Sequence, residues 1–289
     1  MLYINMKTFD VFFITTLIII YYIIIKNFFD NSNILPHSLL WKTTNSANDV
    51  FFTKKEGFLD ESTAHQLANL LTWHPKNIKN GGLGDGFKGI RGFTVRFKNL
   101  KNAKYLFQEK LKLPEVWKIF KKIRTPGTNA WIINTLVVEP SNHNIENPNR
   151  VDLHYDDTIG ISSPVGGFIP FWKRDLAAHW INMVYVQIPP DMIKGEILGW
   201  PQGFSRTHEL LRFVGCHKLI NVPPPTLNLQ PKTGMHLKVR GDVYHGVEPF
   251  YLEKTSSPRI SLIIEEYKCN PQELAEIGEK AAMTTEKAY

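Results

Sequence analysis

Cysteine is almost absent from this chain. Cys216 and Cys269 are the only two in 289 residues, which excludes a disulfide framework and suits a reducing compartment. No Asn-x-Ser/Thr acceptor occurs, which argues against a heavily glycosylated secreted protein. No internal repeat is evident. Charge of one sign is in modest excess: the formal net charge of +7 permits attraction to an anionic membrane surface or an acidic substrate. No nucleic-acid partner is expected from it. A usable dinucleotide fingerprint is missing too. Gly84, Gly86 and Gly89 spell G-x-G-x-x-G, but a helical pattern precedes them and a strand pattern follows, the reverse of what phosphate binding requires.

Long apolar runs are scarce, and the one clear case is Val11 to Ile25. A bilayer span takes about 20 apolar residues, and Phe28 and Phe29 extend this run past Lys26, whose side chain can snorkel. No small-x-small cleavage site follows it, so it reads as an anchor rather than a signal peptide. Residues 1–30 are therefore expected to be an N-terminal membrane anchor and 31–49, rich in Asn, Ser and Thr, a polar linker. Lys26 and Lys42 after the run, against Lys7 before it, slightly favour a cytoplasmic domain.

What remains, 50–289, has the apolar and aromatic content of one packed domain. Residues 50–130 read as helical support. Asp60 can cap a helix carrying Leu67, Leu70 and Leu71, Phe93–Phe97 alternates like a strand, and Asn102–Arg124 is helical and strongly basic, with Pro114 opening a second helix. That basic stretch is a solvated outer face or a surface for anionic lipid. The β core is expected over 131–269. Its strands are Trp131–Val138, a strand through His154, Ile181–Ile188, Glu196–Trp200, Lys218–Val222, Met235–Val239 and Arg259–Tyr267. Glu139–Arg150 reads as a polar loop and Ile159–Asp175 as a long loop suited to substrate recognition. Asn270-Pro271-Gln272-Glu273 opens a terminal helix over 270–289.

The chemistry lies in three short motifs. Val151-Asp152-Leu153-His154-Tyr155-Asp156-Asp157 places an imidazole and a carboxylate two apart, hence on one face of a strand. Gly241-Asp242-Val243-Tyr244-His245-Gly246-Val247 brings a second His in another short run. Two His and one carboxylate form the facial triad that holds non-haem Fe(II) with open positions. Pro258-Arg259-Ile260-Ser261 then sets an Arg two residues before a Ser on a strand. On a strand Asp157 points away from His154, so it is the weaker ligand candidate. Each His alone reads as an ordinary hydrogen-bonded residue, and His143, His179, His208, His217 and His236 have no comparable partners. Arg240-Gly241-Asp242 spells an adhesion tripeptide, but three residues carry no weight.

The order His-x-Asp, distant His, Arg-x-Ser resembles the Fe(II)/2-oxoglutarate-dependent dioxygenases, prolyl-hydroxylase-like members included. Pro231-Lys232-Thr233-Gly234, His245-Gly246-Val247-Glu248-Pro249 and Arg259 look like that superfamily's closing strands. Trp180 to Trp200, with Asn182, Tyr185 and Gly195-Glu196-Ile197-Leu198, looks like its middle strands. The resemblance covers Trp131 to Tyr267. It implies a mostly β domain with flanking α-helices, a double-stranded β-helix of the jelly-roll or cupin-like kind. It also implies Fe(II) on His154, Asp156 and His245, with Arg259, helped by Ser261 and Tyr185, holding the distal carboxylate of 2-oxoglutarate. Co-substrates would be 2-oxoglutarate and O2, with ascorbate a candidate addition. The reaction would be hydroxylation of an unidentified organic or peptidyl substrate with release of succinate and CO2. Glu139-Pro140 departs from the prolyl-hydroxylase pattern of an aromatic beside Pro, so the substrate class stays open. Zinc hydrolysis is the chemical alternative, but it leaves Arg259 and Ser261 unused and lacks a neighbouring Glu base. Halogenation is disfavoured because Asp156 fills the halide position. A catalytically silent, membrane-tethered β-barrel binding module is the alternative from another class.

Overall fold

The computed structural model describes residues 50–79, 90–138, 149–156, 162–164, 173–201, 224–251 and 257–277. Strand β12 (Arg259–Tyr267) explains the layering, because it is buried along almost its whole length and alternate residues serve different cores. Ile260, Leu262 and Ile264 face a helical layer, while Ile263 and Tyr267 face the interior between two sheets. Such a strand must be sandwiched on both sides. Burying each of these aliphatic side chains stabilises the fold by about 1.5–3 kcal/mol.

Six antiparallel strands make the larger sheet. Their order is β1 (Phe52–Lys55), β10 (His236–Arg240), β7 (Trp180–Gln187), β12, β3 (Ala130–Val138) and β2 (Arg91–Phe97). The smaller sheet runs β4 (Asn149–His154), β11 (Tyr244–Phe250), β8 (Ile197–Trp200), β9 (Leu227–Leu229), also antiparallel. Apolar groups of both sheets meet between them, Met183 and Tyr185 of β7 packing in one cluster with Ile197 of β8 and Leu227 of β9. This is the double-stranded β-helix that the resemblance implies. A separate hairpin joins β5 (Ser162–Pro164) to β6 (Lys173–Asp175), and these are the described parts of the expected Ile159–Asp175 loop.

Helices cover the outer face of the larger sheet. Asp60 caps α1 (Glu61–Thr72) by accepting from Thr63 N–H at 2.8 Å, and Leu67 and Leu71 bury against the sheet. After α2 (Pro75–Lys79) and β2 come α3 (Leu100–Tyr105), a π-helical turn over Leu106–Lys110, and α4 (Pro114–Ile123), opened by Pro114. The second helix opens at Pro114 as expected, and Leu111–Leu113 separate it from the π-helical turn. Asn270 and Glu273 form a full capping box on α5 (Pro271–Glu276). That helix is shorter than 270–289: Ile277 is already extended, and 278–289 lie outside the described residues.

Other expectations need correcting. β4 begins at Asn149, inside the stretch read as a loop, and it ends at His154, so Asp156 lies just past the strand rather than on it. β1 and β9 were not anticipated: β1 is an edge strand with three exposed residues, and β9 has only three residues. The expected strand Lys218–Val222 lies outside the described residues, as do Asp157, Cys216 and the anchor run Val11–Ile25. Among the described residues no helix is long and apolar enough to cross a membrane.

Candidate metal centre

His245 on β11 stands directly opposite His154, the last residue of β4, their ring centroids 4.7 Å apart. A β-bulge makes this possible. His245 pairs with His154 and Val247 with Val151, so β4 spends three residues where β11 spends two. The bulge puts His154 on the side of the sheet that Val151 serves, despite their odd spacing. The chain then leaves the strand. Ala178 N–H donates to the Asp156 carbonyl at 2.8 Å and ties that segment to the larger sheet's approach. Tyr155 packs on Tyr244 with centroids 4.8 Å apart, supporting the same corner.

One donor atom from each of His154, Asp156 and His245 falls within 4.8 Å of the others. His154 Nε2 lies 3.2 Å from Asp156 Oδ1 and His245 Nε2 lies 3.5 Å from Asp156 Oδ2. His245 and Asp156 are buried and His154 half-buried. Burial acts to raise the Asp156 carboxyl, but its interactions with His154 and then His245 outweigh that and hold it well below the usual carboxylate range.

The donor set fits a cation on two observations. Asp156 Oδ2 is buried and makes no hydrogen bond. His245 Nδ1 lies 2.9 Å from the Val243 carbonyl, an acceptor, so Nδ1 carries the hydrogen. That bond leaves Nε2 facing the corner, 3.5 Å from Asp156 Oδ2. A cation between those two atoms would engage both. The Val243 carbonyl is the kind of partner that orients a metal-bound imidazole.

Across the interior lies a buried cation. Arg259 opens β12, with its guanidinium 4.4 Å from the centroid of the Phe250 ring. Nη1 donates to the Gly195 carbonyl at 3.2 Å and reaches Met192 Sδ at 3.5 Å. No carboxylate among the described residues lies within ion-pair distance of it. Burial pushes it down to about 10, with Tyr185 and Glu196 opposing from longer range. Gly195 is required here: its φ is +90°, and a Cβ would sit 2.7 Å from Arg259 Nη1.

Ser261, two residues on, pairs across the sheet with Tyr185 of β7. All three polar side chains line one small cleft of about 40 Å³ between the sheets, walled by Val151, Val247 and Phe250 of the smaller sheet. Burial pushes Tyr185 up to about 12, and among the described residues its hydroxyl reaches Met183 Sδ, at 3.6 Å. The structure thus assembles His154, Asp156 and His245 in one corner, and Arg259, Ser261 and Tyr185 on the cleft wall. Val247, which lines that cleft, is two residues from His245 and so on the same side of β11.

Sequence reasoning missed the parts that act through backbone. Val243 offers a carbonyl, Gly195 offers a carbonyl and an absence of Cβ, and neither is signalled by its residue type. It also missed Asn149, fully buried opposite Phe250 with neither side-chain atom hydrogen-bonded. Of the histidines set aside, His236 is a packed residue whose Nε2 lies 3.1 Å from Asn182 Oδ1. Arg240 and Asp242 clasp each other through two hydrogen bonds of 2.8 and 2.7 Å, bracing the turn before β11 rather than presenting a tripeptide.

No protein-family model matches the chain, and no curated protein matches its sequence. Solved structures resemble it at low identity. A Pseudomonas putida prolyl-4-hydroxylase aligns at 12% identity and a TM-score of 0.41, covering 76% of this chain and 94% of its own. A 2OG-Fe(II) oxygenase-family oxidoreductase from Burkholderia pseudomallei aligns at 11% and 0.41, covering 77% and 86%. A prolyl hydroxylase from Trichoplax adhaerens, solved with a hypoxia-inducible-factor peptide, aligns at 12% and 0.42, covering 78% and 86%.

Proposed function

We propose that the chain is an Fe(II)- and 2-oxoglutarate-dependent dioxygenase that hydroxylates an organic or peptidyl substrate. One observation carries the reading: donor atoms of His154, Asp156 and His245 converge in one corner of an apolar interior, and among the described residues no carboxylate lies within ion-pair distance of the buried Arg259 that shares it. The first arrangement wants a cation and the second an anion. A metal chelated by a dicarboxylate supplies both.

His154, Asp156 and His245 would hold the metal from one side and leave its other positions open. Arg259 would take the far carboxylate, its planar fork donating two parallel hydrogen bonds. Ser261 and Tyr185, facing each other across β12 and β7, would donate to the same group. In the structure Arg259 rests on a thioether and one carbonyl, which are weak substitutes for an anion. Met192, long and unbranched, is the side chain that yields as the ligand enters. The apolar wall excludes water and strengthens each charged contact. When bound, the iron and its co-substrates supply the oxidation, in which 2-oxoglutarate becomes succinate and CO2 and the substrate gains an oxygen atom from O2.

Anaerobic addition of Fe(II) and 2-oxoglutarate should produce the weak visible charge-transfer band of the chelate, and aerobic turnover should release succinate. Both should fall at least about a hundredfold in His154→Ala and His245→Ala, because each removes one of three protein ligands. Zinc-dependent hydrolysis that ignores 2-oxoglutarate would overturn the proposal. A folded protein with no chelate band would make it a binding module instead.

The address is a separate proposal. Val11–Ile25 anchors the domain to a membrane and the polar stretch to Asp49 tethers it. Lys26 and Lys42 after the run, against Lys7 before it, slightly favour the cytoplasmic side. Retention in the membrane pellet through alkaline carbonate supports the anchor, and release refutes it. Protection of the domain from protease in sealed vesicles of known sidedness decides the orientation.

A further inference from the structure

A concavity larger than the interior cleft lies away from the metal corner. Where α1 ends against the turn after the π-helical segment, an open groove of about 840 Å³ is lined by Leu70, Trp73, Lys76, Lys110 and Lys112, with no acidic residue among its lining. Trp73 is 72% exposed and Leu70 43%. Lys110 Nζ stands 5.6 Å from the centre of the Tyr105 ring, itself 56% exposed, which brings a third large apolar side chain to the same rim. Five large apolar side chains are exposed among the described residues, and three of them are these.

We infer that this face docks the folded domain onto an anionic lipid bilayer. The composition matches that occupant. Trp and Tyr carry an apolar body and a polar tip and settle at the level of lipid headgroups. Lys76, Lys110 and Lys112 ring them with positive charge, which anionic headgroups complement; the nearest counter-charge is Glu109, 3.5 Å from Lys112 and exposed. Such an exposed pair is a weak competitor. Water gains when Trp73 and Leu70 are covered, and each lysine near an anionic surface shifts the equilibrium roughly fivefold. The uncharged run Val11–Ile25 stands upstream, and the 24 residues between Ile25 and Val50 can reach at most about 80 Å, which confines the domain near any membrane holding that run. Docking would fix the orientation of the interior cleft relative to the bilayer.

The test uses the full chain and vesicles whose acyl chains carry bromine, a contact quencher of tryptophan. In vesicles containing phosphatidylserine, part of the emission should be quenched, and that part should vanish in Trp73→Phe. Pure phosphatidylcholine should quench far less. Reversing the rim with Lys76→Glu, Lys110→Glu and Lys112→Glu should abolish the Trp73 component, an effect on the order of a hundredfold or more on the docking equilibrium. High salt should abolish it as well, while flotation with the vesicles persists through Val11–Ile25; loss of flotation alone would strike the anchor and leave the docking face standing. Quenching equal in neutral and anionic vesicles, or unchanged by charge reversal, overturns the inference. So does a Trp73 emission shift on adding an acidic peptide with no lipid quenching, which would make the groove a protein site. Trp73, Lys110 and Lys112 are exposed and Lys76 half-buried, so melting should change little; should the triple variant misfold, the lipid comparison in wild type and Trp73→Phe still decides.

Discussion

Strand β12 carries buried charge at both ends, and the two ends are treated differently. At its C-terminal end Glu265 and Glu266 are wholly buried and fully partnered. Asn134 Nδ2 donates to Glu265 Oε1 at 2.8 Å and the Tyr267 hydroxyl to Oε2. Thr125 gives its N–H to Glu266 Oε1 at 2.7 Å and its hydroxyl to Oε2, with Lys238 Nζ 3.9 Å away. At its N-terminal end Arg259 has a carbonyl, a thioether and an aromatic face. Folding alone tolerates a buried charge best when it is neutralised. The satisfied end is architecture. The other end, with no carboxylate beside it among the described residues, shares its cleft with Ser261 and Tyr185, and there the proposed ligand would complete the structure.

The sharpest way to break this contrast is to remove one charge from each end. Arg259→Gln should weaken 2-oxoglutarate binding by about 30- to 1000-fold, the usual cost of losing one partner of a buried charge pair. In the absence of ligand its melting temperature should stay level or rise, since a buried charge without an ion-pair partner among the described residues has gone. Titration by the chelate band and a thermal melt measure the two. A large drop in ligand-free stability would show that Arg259 is structural after all.

Glu266→Gln should do the opposite. It leaves the Thr125 N–H and hydroxyl and the Lys238 ammonium without their carboxylate, at about 1.5–3 kcal/mol for hydrogen bonds to a charged group. Denaturant unfolding should register that loss while 2-oxoglutarate affinity stays within about twofold of wild type. A selective loss of affinity would instead tie this end of the strand to the site.

Much of this arrangement was legible in the sequence, for identifiable reasons. Side-chain chemistry that acts through short spacing shows directly: Asp60 and Asn270 as caps, Pro114 as a helix start, His154 with Asp156, and Arg259 with Ser261. Long apolar alternation also shows, as in Trp131–Val138. Features that depend on the partner strand do not. The bulge between Val151 and His154 exists only because β11 spends fewer residues, and nothing in β4 itself encodes it. β1 stayed hidden because an edge strand reading Phe52-Thr53-Lys54-Lys55 buries no full face. The π-helical turn at Leu106–Lys110 stayed hidden because those residues favour an ordinary helix equally well. The surroundings of Arg259 could not be read at all, since Met192, Gly195 and Phe250 come from segments far from it in the chain.

The smallest expected effect concerns a histidine outside the site. His245 reaches the metal corner. His236, on β10, turns instead toward the helical layer, its ring 5.0 Å from Phe58 and its Nε2 3.1 Å from Asn182 Oδ1. Burial first, then Lys238, Lys55 and Lys122, hold it down to about 4. A histidine ordinarily titrates near 6.5, so the unfolded chain takes up its proton at a pH where the folded one still refuses it. The folded state therefore has its full contribution from His236 above pH ~6.5 and loses it as pH falls toward 4. By pH ~5.5 the loss should be about 1 kcal/mol, at a pH still above the range where ordinary carboxylates titrate. His236→Gln should flatten the decline in unfolding free energy between pH ~7 and ~5.5 and leave the Fe(II)–2-oxoglutarate band in place. An unchanged slope in that variant would move the titrating group elsewhere, and a lost band would join His236 to the site.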